Sequence, residues 1–199
     1  MRIVVNCGGA GLTGATIPDA LARGLRTTAA HSTLVLDDSN STAILPDGTL
    51  GKGVTEVEID RRENDQGSRL EMSHDGYARR HGLIHRRTLI LPPSGRELRG
   101  EDVLIPAPRG KRRGDAAFAL RFHLAAGISA SLTADGQGAL LRIAGGPLWQ
   151  FRSSDGALTI EESLWVDGDG RPHPIEQLVV SGASPAGGAS IGWIFKHIG

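Results

Sequence analysis

The sequence predicts an all-β fold, a large antiparallel β-sandwich with one short helix at most, close to the N-terminus. Three observations carry that prediction. Apolar and polar residues alternate with a period of two over 54–60, 68–74 and 117–124, as in strands with one face buried. Tight-turn signals separate such runs: PDG at 46–48, DQG at 65–67, DG at 135–136 and 155–156, and DGDG at 167–170. The runs recur at intervals of roughly 8–12 residues, the spacing of sandwiches and barrels. The 28 glycines among 199 residues, about twice the usual share, then fall mainly in turns.

Taken in order, residues 2–7 open the chain as a strand. Residues 17–26 follow as the single helix, with Pro18 suited to its first turn and Gly24 and its short length weighing against it. Strands are predicted over 31–36, 41–45, 54–60 and 68–74, where Leu70, Met72 and His74 share a phase. The next run over 85–91, and then over 117–124, where Phe118, Leu120, Phe122 and Leu124 point one way and Arg121 and His123 the other. The remainder lie over 128–133, 139–143, 148–152, 157–162, 176–181 and 190–196. No linker or internal repeat divides the chain, so residues 1–199 read as one domain, long enough for a real core.

Composition removes several classes. Lys plus Arg equals Asp plus Glu at 22 each, so the basic field that nucleic-acid binding needs is absent. One cysteine rules out a disulfide scaffold and a cysteine-rich zinc site. No apolar run reaches the roughly 18 residues of a membrane span. The first residues lack a signal-peptide layout, so any export signal is expected off this piece.

Three stretches carry a resemblance: RTTAAHSTLVLDD over 26–38, SHDGY over 73–77 and GLIHRRTL over 82–89. Together they resemble the C-terminal β-sandwich of the heparinase II/III-like polysaccharide lyases. VVNCG over 4–8 and QLVVSG over 177–182 are similar to the divergent, alphaproteobacterial-type members. The resemblance implies a two-part enzyme with an N-terminal α-helical toroid, absent here, and an acidic, uronate-containing polysaccharide held in the cleft between the parts. It implies β-elimination: a base takes the C5 proton, an acid (usually a tyrosine of the toroid) protonates the leaving oxygen, and a clamp neutralises the carboxylate. It also implies a place in the cell envelope or periplasm. Better-known members carry a further histidine where this chain has Ala29.

Candidate residues follow from that resemblance and the seven histidines. His74 and Tyr77 are the catalytic candidates, against a buried, satisfied imidazole and a structural phenol anchor. Arg79, His85, Arg86 and Arg87 are candidates for substrate contact, since guanidinium grips carboxylate or sulfate in a bidentate manner. The alternative is a rim of paired charges. The family's capacity for zinc in the sandwich implies His31, His74, His85 and Asp38 as ligands, with Asp37 or Asp47 as other carboxylates, although no pair has a spacing that puts two ligands on one face.

Other features read more plainly. His123 is expected in solvent, Trp149, Trp165 and Trp193 in the core, and Cys7 as a small buried hydrophobe. Glu161 and Glu162 point to opposite faces, which does not suit a glycosidase pair. GGAG at 8–11 lacks the rest of a phosphate loop. RGKRR at 109–113 is either a solvated connection or a contact for an anionic polymer. Three functional readings stand: the sandwich part of a lyase that needs a helical partner domain, a non-catalytic module binding acidic glycan or another partner, and an independent small enzyme.

Overall fold

The computed structural model describes residues 2–8, 17–108 and 114–199; the basic loop at 109–113 and most of the GGAG run lie outside them. Two antiparallel sheets face each other. The smaller joins β1 (Val4–Val5), β7 (Ala116–Leu124), β12 (Pro172–Ser184) and β11 (Ala157–Val166) in that order, with β2 (Leu34–Leu36) also pairing β7. The larger runs β3 (Val57–Asn64), β4 (Gly67–His74), β5 (Leu83–Leu91), β6 (Glu97–Pro106), β13 (Ala189–Ile198), β10 (Leu148–Ser153), β9 (Gly138–Ile143) and β8 (Ile128–Leu132). Helix α1 (Asp19–Gly24) falls within the predicted 17–26 segment, and α2 (Ala78–His81) is a single turn between β4 and β5.

The core forms where the predicted alternation puts it. Phe118, Leu120, Phe122 and Leu124 are buried on β7. Phe122 meets Trp193, Phe151 and Phe195 of the opposing sheet, with ring centroids 4.8, 5.2 and 5.4 Å away. These tilted and edge-on contacts suit aromatic quadrupoles. Gly100 on β6 makes room for the Trp193 indole, against which any Cβ would collide.

Two strand predictions change. Residues 41–45 form no named strand; an isolated bridge joins Ile44 to Leu50 across the turn, whose Asp47 carboxylate accepts from the Thr49 amide at 2.9 Å. β6 was not predicted. Its inward positions are Leu98, Gly100, Asp102 and Leu104, and a glycine and an aspartate break the apolar alternation that marks a strand.

The smaller sheet is also covered in part on its outer side. Cys7, Leu25, Ala30 and Val166 make a second apolar cluster, with Ile17, Leu21 and Leu164 packed on it. This roof buries His123 to 2% exposure, correcting the expectation that it lies in solvent. The opposite happens at β3. Five strands do not span eight, so the inward-phase residues Val57 and Ile59 remain 61% and 68% exposed.

Candidate functional site

The register of the large sheet sets side chains in rows across its inner face. Val57, His74, His85 and Leu104 stand in one row, and Ile59, Met72, Arg87 and Asp102 in the next. Each strand alone alternates simply; the pairing makes two histidines and an Arg–Asp pair neighbours. The rows run from the uncovered edge at β3 into the closed interior at β6. At the open end Val54, Val57, Ile59, Met72, His74 and Arg87 border a cavity of about 320 Å³.

Asp102 is the anchor. It is fully buried and accepts three hydrogen bonds: from His85 Nε2 at 2.7 Å, from Arg87 Nε at 2.8 Å and from Trp193 Nε1 at 2.7 Å. Burial alone would raise its carboxyl, but Arg87 and the His85 contact hold it below the usual carboxylate range. Arg87 also donates from Nη1 to the Ser32 carbonyl at 2.6 Å, and its guanidinium lies 5.9 and 5.8 Å from the Phe122 and Trp193 ring centres.

The hydrogen bonds fix a direction along the histidines. The Gly76 amide lies 3.2 Å from His74 Nδ1 and can only donate, so that nitrogen carries the lone pair and Nε2 the proton. His74 Nε2 then donates to His85 Nδ1 at 3.3 Å, and His85 Nε2 donates to Asp102. Burial, and after it the neighbouring His85, lowers the His74 pKa to about 4. At neutral pH His74 is therefore an uncharged imidazole with both nitrogens engaged. It can position and donate; as a base it must first give up the Gly76 contact.

The other candidates scatter. Tyr77 is 1% exposed, and its hydroxyl donates to the Leu34 carbonyl at 2.8 Å. Burial raises its pKa, and its placement is that of an anchor between β2 and α2, the structural reading that the sequence offers beside the catalytic one. Arg86 faces away from His85 and Arg87, as alternation predicts. Arg79 lies on α2 and, with Arg80, Lys52, Thr55, Asp75 and Ser41, borders a groove of about 790 Å³. That groove reaches Gly76, two residues from His74.

The proposed zinc ligands do not assemble. His31 Nδ1 is 2.9 Å from the Thr27 carbonyl, and Asp38 lies in a left-handed turn with φ 49°. His74 and His85 face each other through their own hydrogen bond. Among the described residues no three His, Cys, Asp or Glu side chains are grouped to hold a metal ion, so the four do not fit one zinc site. The sequence reading missed Asp102 and Trp193 as members of the cluster. A strand search that tolerated Gly100 and Asp102 in the inward phase would have found the first.

Comparison with known proteins places this geometry in a family. The model of the heparinase II/III-like C-terminal family matches residues 1–194. FtsZ-localized protein C of Caulobacter vibrioides is 34% identical over 181 residues, covering 79% of this chain and 31% of that protein. A mutant of the heparan sulfate lyase HepC from Pedobacter heparinus superposes with a TM-score of 0.76 at 16% identity, over 98% of this chain and 28% of that one. A heparinase III superposes with a TM-score of 0.74 at 11% identity, again over 98% and 28%. The chain thus spans under a third of the length of these relatives. At such identities the solved structures speak for the fold, and the match over residues 1–194 speaks for descent: the chain belongs to the heparinase II/III-like C-terminal family.

Proposed function

We propose that this chain is the β-sandwich part of a polysaccharide lyase acting by β-elimination on uronate-containing glycans, and that it works beside a helical partner domain. The observation that carries this reading is the join between two features. The groove bearing Lys52, Arg79 and Arg80 reaches Gly76, whose amide donates to His74, the outermost member of the chain anchored on Asp102. A polyanion lying on the three cations would bring a sugar towards His74, the imidazole of that chain nearest the uncovered β3 edge, which borders the cavity of about 320 Å³. Arg79 then contacts substrate, His74 orients it, and His85 and Arg87 act from behind, through the hydrogen bonds that fix His74. Arg86, on the other face, has no part in this arrangement. The acid–base groups are assigned to the partner, because Tyr77 is sealed and His74 is a weak base. The cell envelope, where such polymers are found, is the location this reading implies.

The test is to mix the purified chain with uronate polymers and measure binding and the ultraviolet absorbance of unsaturated uronate. Binding without turnover is expected, with affinity reduced about tenfold or more in Arg79→Ala/Arg80→Ala, since each charge-assisted contact contributes roughly 1.5–3 kcal/mol. Failure of both variant and unmodified chains to bind would overturn the reading. Elemental analysis of the same preparation tests zinc: stoichiometric metal lost in His85→Ala would revive the metal role of His31, His74, His85 and Asp38.

A second reading, an interaction module without chemistry, is favoured by one finding. The relative at 34% identity carries a name that describes localisation with FtsZ, not catalysis. In that reading the exposed Val57 and Ile59 contribute to a partner surface. Loss of co-localisation with the division machinery on Val57→Asp/Ile59→Asp, with glycan binding unchanged, would separate it from the first.

A further inference from the structure

The outer face of the smaller sheet holds a second polar cluster, apart from the groove and from Asp102. His123 on β7 is the centre. Its Nε2 lies 3.0 Å from the Ala29 carbonyl, an acceptor only, so Nε2 carries the proton and Nδ1 the lone pair. Ser163 Oγ, on β11, lies 2.8 Å from that Nδ1 and therefore donates to it. Cys7 Sγ approaches the same nitrogen at 3.5 Å. Ser163 is partly open, and with Arg121, His123, Gln177, Leu21 and Leu164 it borders a cavity of about 550 Å³.

A hydroxyl bonded to the lone pair of an imidazole, whose other nitrogen is held by a fixed acceptor, is the arrangement of a nucleophile and its base. Burial lowers the His123 pKa, so the ring is neutral at neutral pH, as a base must be. Cys7 stands farther from Nδ1 and is buried, whereas Ser163 Oγ is at 2.8 Å and borders the cavity, which leaves the hydroxyl as the attacking group. The same wall carries donors. Arg121 shares the outward phase with His123, and its Nε is buried without a hydrogen-bond partner among the described residues. Gln177 stands opposite His123 in register. The leucines of the roof give the cavity an apolar side for a short acyl chain.

We propose that Ser163 and His123 form a nucleophile–base pair that cleaves small carboxylic esters, an activity separate from any glycan elimination. Ser163 Oγ bonds to the ester carbonyl carbon while its proton passes to His123 Nδ1. The bond to the alcohol oxygen breaks, and that oxygen takes the proton from His123. Water then adds to the acyl-serine, giving its proton to His123. The carboxylic acid departs as Ser163 recovers the proton. One ester and one water become one acid and one alcohol. Arg121 and Gln177, which line the same cavity, supply donors to the oxygen that gains charge at each addition by exchanging their contacts with Glu161, at 3.4 Å each.

The experiment treats the whole chain with a fluorophosphonate, locates the adduct by mass spectrometry, and follows hydrolysis of p-nitrophenyl acetate. The expected result is one adduct on Ser163, absent in Ser163→Ala, and labelling and hydrolysis slowed at least ~100-fold in His123→Gln, the usual reach of general base catalysis. Thermal melting of Ser163→Ala, which removes one hydroxyl, establishes that it is folded; that variant decides the matter even where His123→Gln is unfolded. Labelling of the native chain no faster than of the heat-unfolded chain would overturn the proposal. So would equal hydrolysis by folded Ser163→Ala.

Discussion

The two histidine clusters lie against opposite faces of the smaller sheet and are oriented by different means. His85 is held by a buried carboxylate, which needs Arg87 and Trp193 to be tolerable inside a protein. His123 is held by a neutral carbonyl, and nothing else has to compensate. The first cluster is thus tied to the stability of the whole sandwich. The second hangs on a local roof of α1 and the turn at Thr28–Ala30. A charged orienter binds function to fold, whereas a neutral one leaves the site separable from it.

The sharpest way to break this contrast is Asp102→Ala. It leaves Arg87 and His85 buried without their acceptor, and denaturant unfolding is expected to register a loss of about 3–5 kcal/mol. Next comes Trp193→Phe, which keeps the aromatic packing but removes one donor to the carboxylate. A loss of about 1.5–3 kcal/mol is expected from the same measurement. A smaller effect separates the clusters by pH. His74 titrates near 6.5 when unfolded and at about 4 when folded. The unfolded chain binds the extra proton first, so stability falls as pH drops from about 6.5 to about 4. His74→Gln should flatten that part of a melting-temperature profile, while leaving the smaller slope due to His123. The least effect is predicted for Ser163→Ala, under about 1 kcal/mol, because Cys7 remains beside the freed lone pair. A loss as large as that of Asp102→Ala would erase the distinction.

The sequence reading succeeded where one strand face was apolar without interruption. Phe118 to Leu124 told both the strand and its inward side, and His74 was rightly read as sharing a face with Leu70 and Met72. It failed where a second layer decided the outcome. His123 has the alternation of an exposed residue, but the roof of Leu21, Leu25 and Ala30 arrives from a segment far away in the chain. β6 was hidden because its inward face carries the cavity for Trp193 and the charge for Arg87, features defined by partners on other strands. The resemblance found His74 and His85 but could not place His31, whose ring turns to the Thr27 carbonyl. Tyr77 was legible as an anchor, but its acceptor, the Leu34 carbonyl, lies 43 residues away in the chain and was not.

The bare end of the large sheet has a consequence for handling the protein. β3 is an edge strand whose eight residues are all exposed, with one row of backbone donors and acceptors unmatched by any strand among the described residues. Its C-terminal half carries its own insulation: Arg61 pairs with Glu63 on one face and Arg62 with Asp60 on the other, both at 2.9 Å. Such charges discourage a stranger's strand from adding to the ladder. The Val57–Ile59 half has no such guard on its apolar face. Colloidal behaviour in concentrated solution should therefore be governed by a few residues of one strand, and salt, which screens the guarded half, would be the ingredient to keep low in storage.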